Sequence, residues 1–293
     1  RQVGCVWRVR SIPTLAAVGW TLISYTIFAV LFFAGPIALI SGELSTMLPQ
    51  EGGPQLWVKT ALGSKWGFVV AWLLWVQMFP GMVMVASTLG PLLGNTFGNV
   101  HLGENHWFVL GCILVIYWII TILNLKFDMA KVGGNIGVWL GVYIPVLVMF
   151  VLGLLSMIKV GLTPGGYLGA FSWSKVLPNL ENMDTFKYLA GIAFIFVGIE
   201  MSSVYIPRLK DATKNYTKGV FISLIGLVLL NVINAMFVAN IVPNGKMELS
   251  NITQPILLYC DVLGLPTIIG NIFSFMVFLG CLLYTSPSPR DST

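Results

Sequence analysis

From Thr21 to Met47 the chain carries a single charged side chain, Glu43, and runs of this kind recur along its length. About 20 mostly apolar residues suffice for a helix to cross the hydrocarbon core of a bilayer. By that measure a partial span ends near Val18. Further spans cover Thr21–Met47, Trp66–Leu93, Trp107–Leu125, Gly134–Ile158, Thr185–Ile206 and Val220–Val242, and a last one opens at Pro266. The chain is 57% hydrophobic and 9% charged, against about 25% charged in a water-soluble domain. A chain of 293 residues cannot hide so much apolar side chain from water, so its solvent is lipid. The expected fold class is an all-α polytopic membrane protein.

Lys and Arg gather in loops. Alternate loops hold Lys59 and Lys65, then Lys126 and Lys131, then Arg208, Lys210, Lys214 and Lys218. The opposite set holds Lys159, Lys175 and Lys246 together with Glu104, Glu181, Asp184, Glu248 and Asp261. The positive-inside rule places the first set in the cytoplasm. The expected location is a cell membrane, multi-pass, of the bacterial cytoplasmic kind. The net charge of +5 is small for the length, and no basic run interleaves with aromatics, so nucleic acid is not an expected partner. Cys5, Cys112, Cys260 and Cys281 form no CxxC pair and read as small apolar side chains.

Both ends read as cut. Residue 1 is Arg, and residues 281–293 are polar and rich in Pro and Ser, which reads as a non-native tail on a membrane domain spanning 1–280.

Within the spans, Gly133, Gly137 and Gly141 share one face of the fifth and are expected to let another helix approach closely. Pro36 and Pro80-Gly81 are expected kinks. Three charges stand out against the apolar background: Arg10 in the first span, Glu43 in the second and Glu200 in the sixth. An ionised group at the bilayer centre costs on the order of 3 kcal/mol, so it faces a partner or a wet cavity. Arg10 and Glu200 also stand beside helix breakers, Ser11 with Pro13 and Gly198. A break there frees backbone N–H and C=O groups that are tolerated only where they line a cavity, and that can grip a charged solute. Two readings stand for Arg10 and Glu200: a structural ion pair between helices, or substrate binding and gating. For Glu43 the readings are an interfacial pair with a neighbouring cation or a cytoplasmic gate.

Ser202 and Ser203 offer hydroxyls either to a ligand or to their own helix. Gln77, beside Trp75 in the third span, faces either the same cavity or a neighbouring helix. His101 and His106 have no metal-site spacing and read as loop residues. Two glycosylation sequons begin at Asn215 and Asn251, a weak signal. HExxH, GxSxG, GxxxxGK and a Cys/His cluster are all missing, so neither enzyme, metal nor cofactor is expected.

Several stretches together resemble the amino acid–polyamine–organocation superfamily, and most of all its bacterial glutamate/γ-aminobutyrate antiporters. They are Val6-Trp-Arg-Val-Arg-Ser-Ile-Pro-Thr14, Gly42-Glu-Leu-Ser-Thr46, Pro49-Gln-Glu-Gly-Gly53, Trp57-Val-Lys59, Lys65-Trp-Gly67, Ala130-Lys-Val-Gly133 and Gly198-Ile-Glu-Met-Ser202. The resemblance covers residues 1 to about 280. It implies two inverted five-helix repeats, present here as about helices 1–8, with the first and sixth broken at the midplane. It also implies that Arg10, Ser11, Ile12 and Pro13 hold a substrate carboxylate, and that Gly198, Ile199, Glu200, Met201 and Ser202 form the other half of the site. The chain departs from the family in Arg8, where relatives more often carry a small residue, and in Asp211-Ala212, where Asn-Pro is common. The implied activity is amino acid transport by a secondary carrier, exchanging one amino acid for another or using protons. The expected partners are an amino acid, membrane lipid and protons. Two rivals from other classes are an intramembrane enzyme with Glu200 or Glu43 as base and a non-transporting membrane scaffold.

Overall fold

The computed structural model describes residues 12–284 apart from 49, 51, 100, 127–138, 164, 178–183, 199, 201–211, 244–245, 247–250 and 252. Its described secondary structure is helical, with one isolated antiparallel bridge between Gly166 and Pro243. Residues 12–16 are helical and end in a turn before Gly19, whose φ of 64° suits a residue without Cβ. This is where the first span was expected to stop.

Helix α1 follows as Gly19–Met47. Its irregularity is traceable to Pro36. Proline has no N–H to give and its ring crowds the carbonyl four residues back, so a regular ladder fails there. The chain answers with a π turn over Val30–Ala34, in which the Gly35 N–H reaches back to the Val30 carbonyl. A side chain at Gly35 would come within 2.9 Å of that carbonyl oxygen. The same device recurs in α6, Trp139–Val160, where a π turn over Trp139–Tyr143 precedes Pro145. Pro80 behaves differently: α3, Ser64–Thr96, is helical throughout. No loss of helix marks the expected kink at Pro80-Gly81.

The remaining helices are α2 (Gly53–Leu62), α4 (His101–Glu104), α5 (His106–Lys126), α7 (Trp173–Val176), α8 (Asp184–Phe194), α9 (Ala212–Ile241), α10 (Gln254–Leu263) and α11 (Ile268–Tyr284). Helices α3 and α5 coincide with the third and fourth expected spans. Among the described residues, three helices are long and apolar enough to cross a membrane: Gly19–Met47, Trp139–Val160 and Tyr216–Ile241. Their outer surfaces stay apolar. Phe32 on α1, Ile158 on α6 and Ile222 on α9 are 69%, 73% and 71% exposed. A water-facing surface would carry charge at such positions; a lipid-facing one has no reason to.

The chain divides into two compact units. One comprises Arg1–Trp20, Gly81–Phe171 and Ile233–Thr293. In it α6 packs on α10 and α11, and α11 also packs on the π turn of α6. Gly280 of α11 lies so close to Gly141 that a Cβ at Gly280 would collide with the Gly141 backbone. The small-residue approach expected at Gly141 is therefore present, while Gly133 and Gly137 fall outside the described residues. The stretch after α6 is stitched to the end of α9. The Asn240 side chain donates to the Gly161 carbonyl (2.9 Å) and accepts from the Thr163 N–H (3.0 Å). The Tyr167 and Leu168 N–H groups donate to Val242 and Ala239 carbonyls, each at 2.9 Å.

The other unit comprises Thr21–Pro80 and Ser172–Val232. Here α8 packs on the first half of α1. The α1 hydroxyls of Thr21 and Ser24 donate to the Lys175 and Val176 carbonyls at the end of α7, the first at 2.8 Å. Farther along α1, Gly42 meets α9: a Cβ there would lie 2.9 Å from the Thr217 hydroxyl oxygen.

Candidate functional site

The sixth expected span does not run through as one helix. Helix α8 ends at Phe194, a turn follows, and Gly198 takes a φ of 99°, a backbone conformation that L side chains rarely adopt. The Gly198 N–H, left without a helical acceptor, donates to Glu200 Oε2 at 3.1 Å. Glu200 is half-buried. A carboxylate two residues downstream therefore satisfies the amide that the break exposes, a charge-assisted arrangement that also fixes the carboxylate beside unwound backbone. Composition and spacing singled out this break from Gly198 and Glu200 alone.

In the other unit, Ile12 is fully buried and Pro13 is buried, both in the helical stretch of residues 12–16. The Pro13 carbonyl accepts from the Ala17 N–H at 3.0 Å, so one helical turn closes there. Arg10, Ser11, Ile199, Met201 and Ser202 lie outside the described residues, and with them the expected pairing of Arg10 with Glu200. The structure thus brings together Gly198 and Glu200, and separately Ile12 and Pro13. Gln77 is exposed on α3, as is Trp75 beside it, and Glu43 is exposed near the end of α1. Among the described residues no group of His, Cys, Asp and Glu is arranged to hold a metal ion.

Sequence reasoning passed over a buried polar cluster. Asn95, at the end of α3, donates through Nδ2 to the Thr253 hydroxyl (3.0 Å), and the Thr253 and Ser274 hydroxyls share a hydrogen bond of 2.9 Å. Thr253 and Ser274 are 1% and 0% exposed. Asn251 Oδ1 accepts from the Thr253 and Gln254 N–H groups at 3.1 and 3.2 Å, which caps the start of α10. The sequon at Asn251 therefore contributes to a cap and its threonine to a core, not to a presented acceptor. Each member of this cluster is an ordinary polar side chain near an apolar run, and nothing in the spacing pairs them. Helix α10 has ten residues, too few to span a bilayer. Within it, burial first and the neighbouring Asp261 second push the Cys260 thiol up, and burial pushes the Tyr259 phenol far up.

The long apolar helices, their apolar outer faces and the backbone break backed by a carboxylate define an integral membrane protein of polytopic helical design. The model of the amino acid permease family matches residues 3–285, and the chain belongs to that family. It is 28% identical over 280 residues to an uncharacterised transporter of Legionella pneumophila, covering 94% of this chain and 58% of that protein. Identity to a probable agmatine/putrescine antiporter of Lactococcus lactis is 25% over 268 residues, covering 90% and 54% respectively. Identity to an aspartate/glutamate permease of Lactococcus lactis subsp. cremoris is 24% over 242 residues, covering 76% and 46%. The chain spans about half the length of these curated relatives.

Proposed function

We propose that the protein is a secondary carrier of the bacterial cytoplasmic membrane that exchanges amino acids, glutamate/γ-aminobutyrate-like in its substrate class, and that it is not an enzyme. The observation that carries this reading is the break at Gly198 with the Glu200 carboxylate fixed on its exposed amide. Unwound backbone at the depth of a span is a costly feature that serves where a polar solute must be held. In this reading the Glu200 carboxylate receives the amino group of the substrate. The stretch Arg10–Pro13 receives its carboxylate, and Gln77 serves the same path. The spans belong to two inverted repeats that rock about the site. Similarity to the Lactococcus relatives, a probable agmatine/putrescine antiporter and an aspartate/glutamate permease, supports a substrate that carries an amino group.

The test is counterflow in proteoliposomes with a panel of labelled amino acids and diamines. Exchange of an internal amino acid for an external one, abolished in Glu200→Gln at unchanged protein yield, is the expected result. Uptake that instead follows an imposed proton gradient without internal substrate replaces exchange by proton coupling. Uptake by Glu200→Gln at the parental rate and affinity removes Glu200 from the site.

A further inference from the structure

Helices α1 and α9 enclose a groove of about 430 Å³ within one unit. Val30, Gly35 and Leu39 form one wall, and Phe221, Ile225 and Val228 the other; every lining residue is apolar. Gly35 and Pro36, which follow the π turn, line the groove with no side chain and with a compact ring. Beyond Leu39 and Phe221 the two helices touch at Gly42 and Thr217, where a Cβ on Gly42 would press on the Thr217 side chain. The groove lining stops one turn short of that crossing, at Leu39 and Phe221.

Charge appears on both helices right at the crossing. Glu43 follows Gly42 and lies four residues beyond Leu39, on the same helical stripe as the groove wall. Lys218 follows Thr217 and lies three residues before Phe221 and seven before Ile225, again on the groove stripe. Both are exposed, and among the described residues neither has an ion-pair partner. An apolar channel on two membrane spans thus ends at a carboxylate and an ammonium carried on neighbouring helices.

We propose that this is a binding site for a phospholipid with a primary-amine headgroup, phosphatidylethanolamine. One acyl chain occupies the groove. The headgroup phosphate meets Lys218, and its ammonium donates hydrogen bonds to Glu43. A purely anionic lipid satisfies Lys218 and is opposed by Glu43. Phosphatidylcholine matches the charges, but its quaternary ammonium has no N–H to donate. The complementarity therefore selects the amine.

The experiment is native mass spectrometry of the protein extracted from membranes, exchanged into equal amounts of phosphatidylethanolamine, phosphatidylcholine and phosphatidylglycerol. The expected result is retention of phosphatidylethanolamine above the other two. Glu43→Gln is expected to bring phosphatidylethanolamine and phosphatidylcholine level. Lys218→Gln is expected to lower retention of all three by about fivefold, and Lys218→Arg to keep it. Ile225→Trp fills the groove and is expected to lower retention whatever the headgroup; Leu39→Phe serves where that variant does not fold. Equal retention of the three lipids by the unmodified protein overturns the proposal. So does unchanged lipid retention in Glu43→Gln and Lys218→Gln accompanied by lower thermal stability in both, which marks an ion pair between the two residues themselves.

Discussion

Asn240 holds the stretch after α6 against the end of α9 with both ends of its amide, and its removal has a calculable cost. The side chain is 4% exposed, and its two hydrogen bonds measure 2.9 Å to the Gly161 carbonyl and 3.0 Å from the Thr163 N–H. Asn240→Ala leaves one acceptor and one donor without partners. Each such loss costs about 1–3 kcal/mol, toward the low end where water can reach the group. The groups freed here belong to a connecting stretch, so the expected sum is about 2–4 kcal/mol. Asn240→Asp discriminates further. It keeps the acceptor for Thr163 but turns the other end into an oxygen facing the Gly161 carbonyl oxygen. Its loss should equal or exceed that of Asn240→Ala, although only Asp preserves size and half of the bonding. Thermal and denaturant unfolding in detergent, followed by tryptophan fluorescence, gives both numbers. A loss below about 0.5 kcal/mol for Asn240→Ala, or parental stability for Asn240→Asp, refutes the view that this amide pins the connection.

Three further outcomes follow from packing and polarity. Gly280→Leu drives a side chain into the Gly141 backbone, which cannot turn aside; a loss of about 1–3 kcal/mol is expected in the same unfolding assay. Thr253→Val keeps the shape but removes the partner of Asn95 Nδ2 and Ser274, and should cost about 1–3 kcal/mol. Because burial and then Asp261 raise the Cys260 thiol, its thiolate forms only at higher pH than that of an ordinary cysteine. The side chain is also fully buried, so maleimide should leave Cys260 unlabelled in the folded protein at neutral pH, and labelling at the rate of an exposed thiol would refute this placement.

Much of the architecture was legible in residue type and spacing. Runs such as Thr21–Met47 and Val220–Val242 announce membrane helices because nothing else accommodates that many apolar side chains. Gly198 and Glu200 announced a break because neither suits the interior of a span. Details that depend on a partner element were not legible. Pro36 signals a disturbance, but whether it becomes a bend or a π turn depends on what the neighbouring carbonyls find. Pro80 shows that the same residue leaves α3 helical throughout. Asn95, Thr253 and Ser274 are far apart in sequence and polar in an ordinary way, so their union emerges only when α3, α10 and α11 pack. The groove between α1 and α9 was hidden for the same reason, since each wall alone reads as a plain apolar stripe.

The π turns in α1 and α6 each hold one residue more than a regular coil needs, and each absorbs that surplus locally. Deleting a single residue from Val30–Ala34 would let α1 wind evenly and leave everything beyond almost in phase, because the five residues of the π turn and four of a regular coil both rotate by about 400°. Leu39 would keep its groove, Gly42 would still face Thr217, and Glu43 would keep its direction. A one-codon deletion at that point would thus iron out the turn while sparing the neighbours that the second half of the helix meets, whereas the same deletion in a regular stretch would rotate them away.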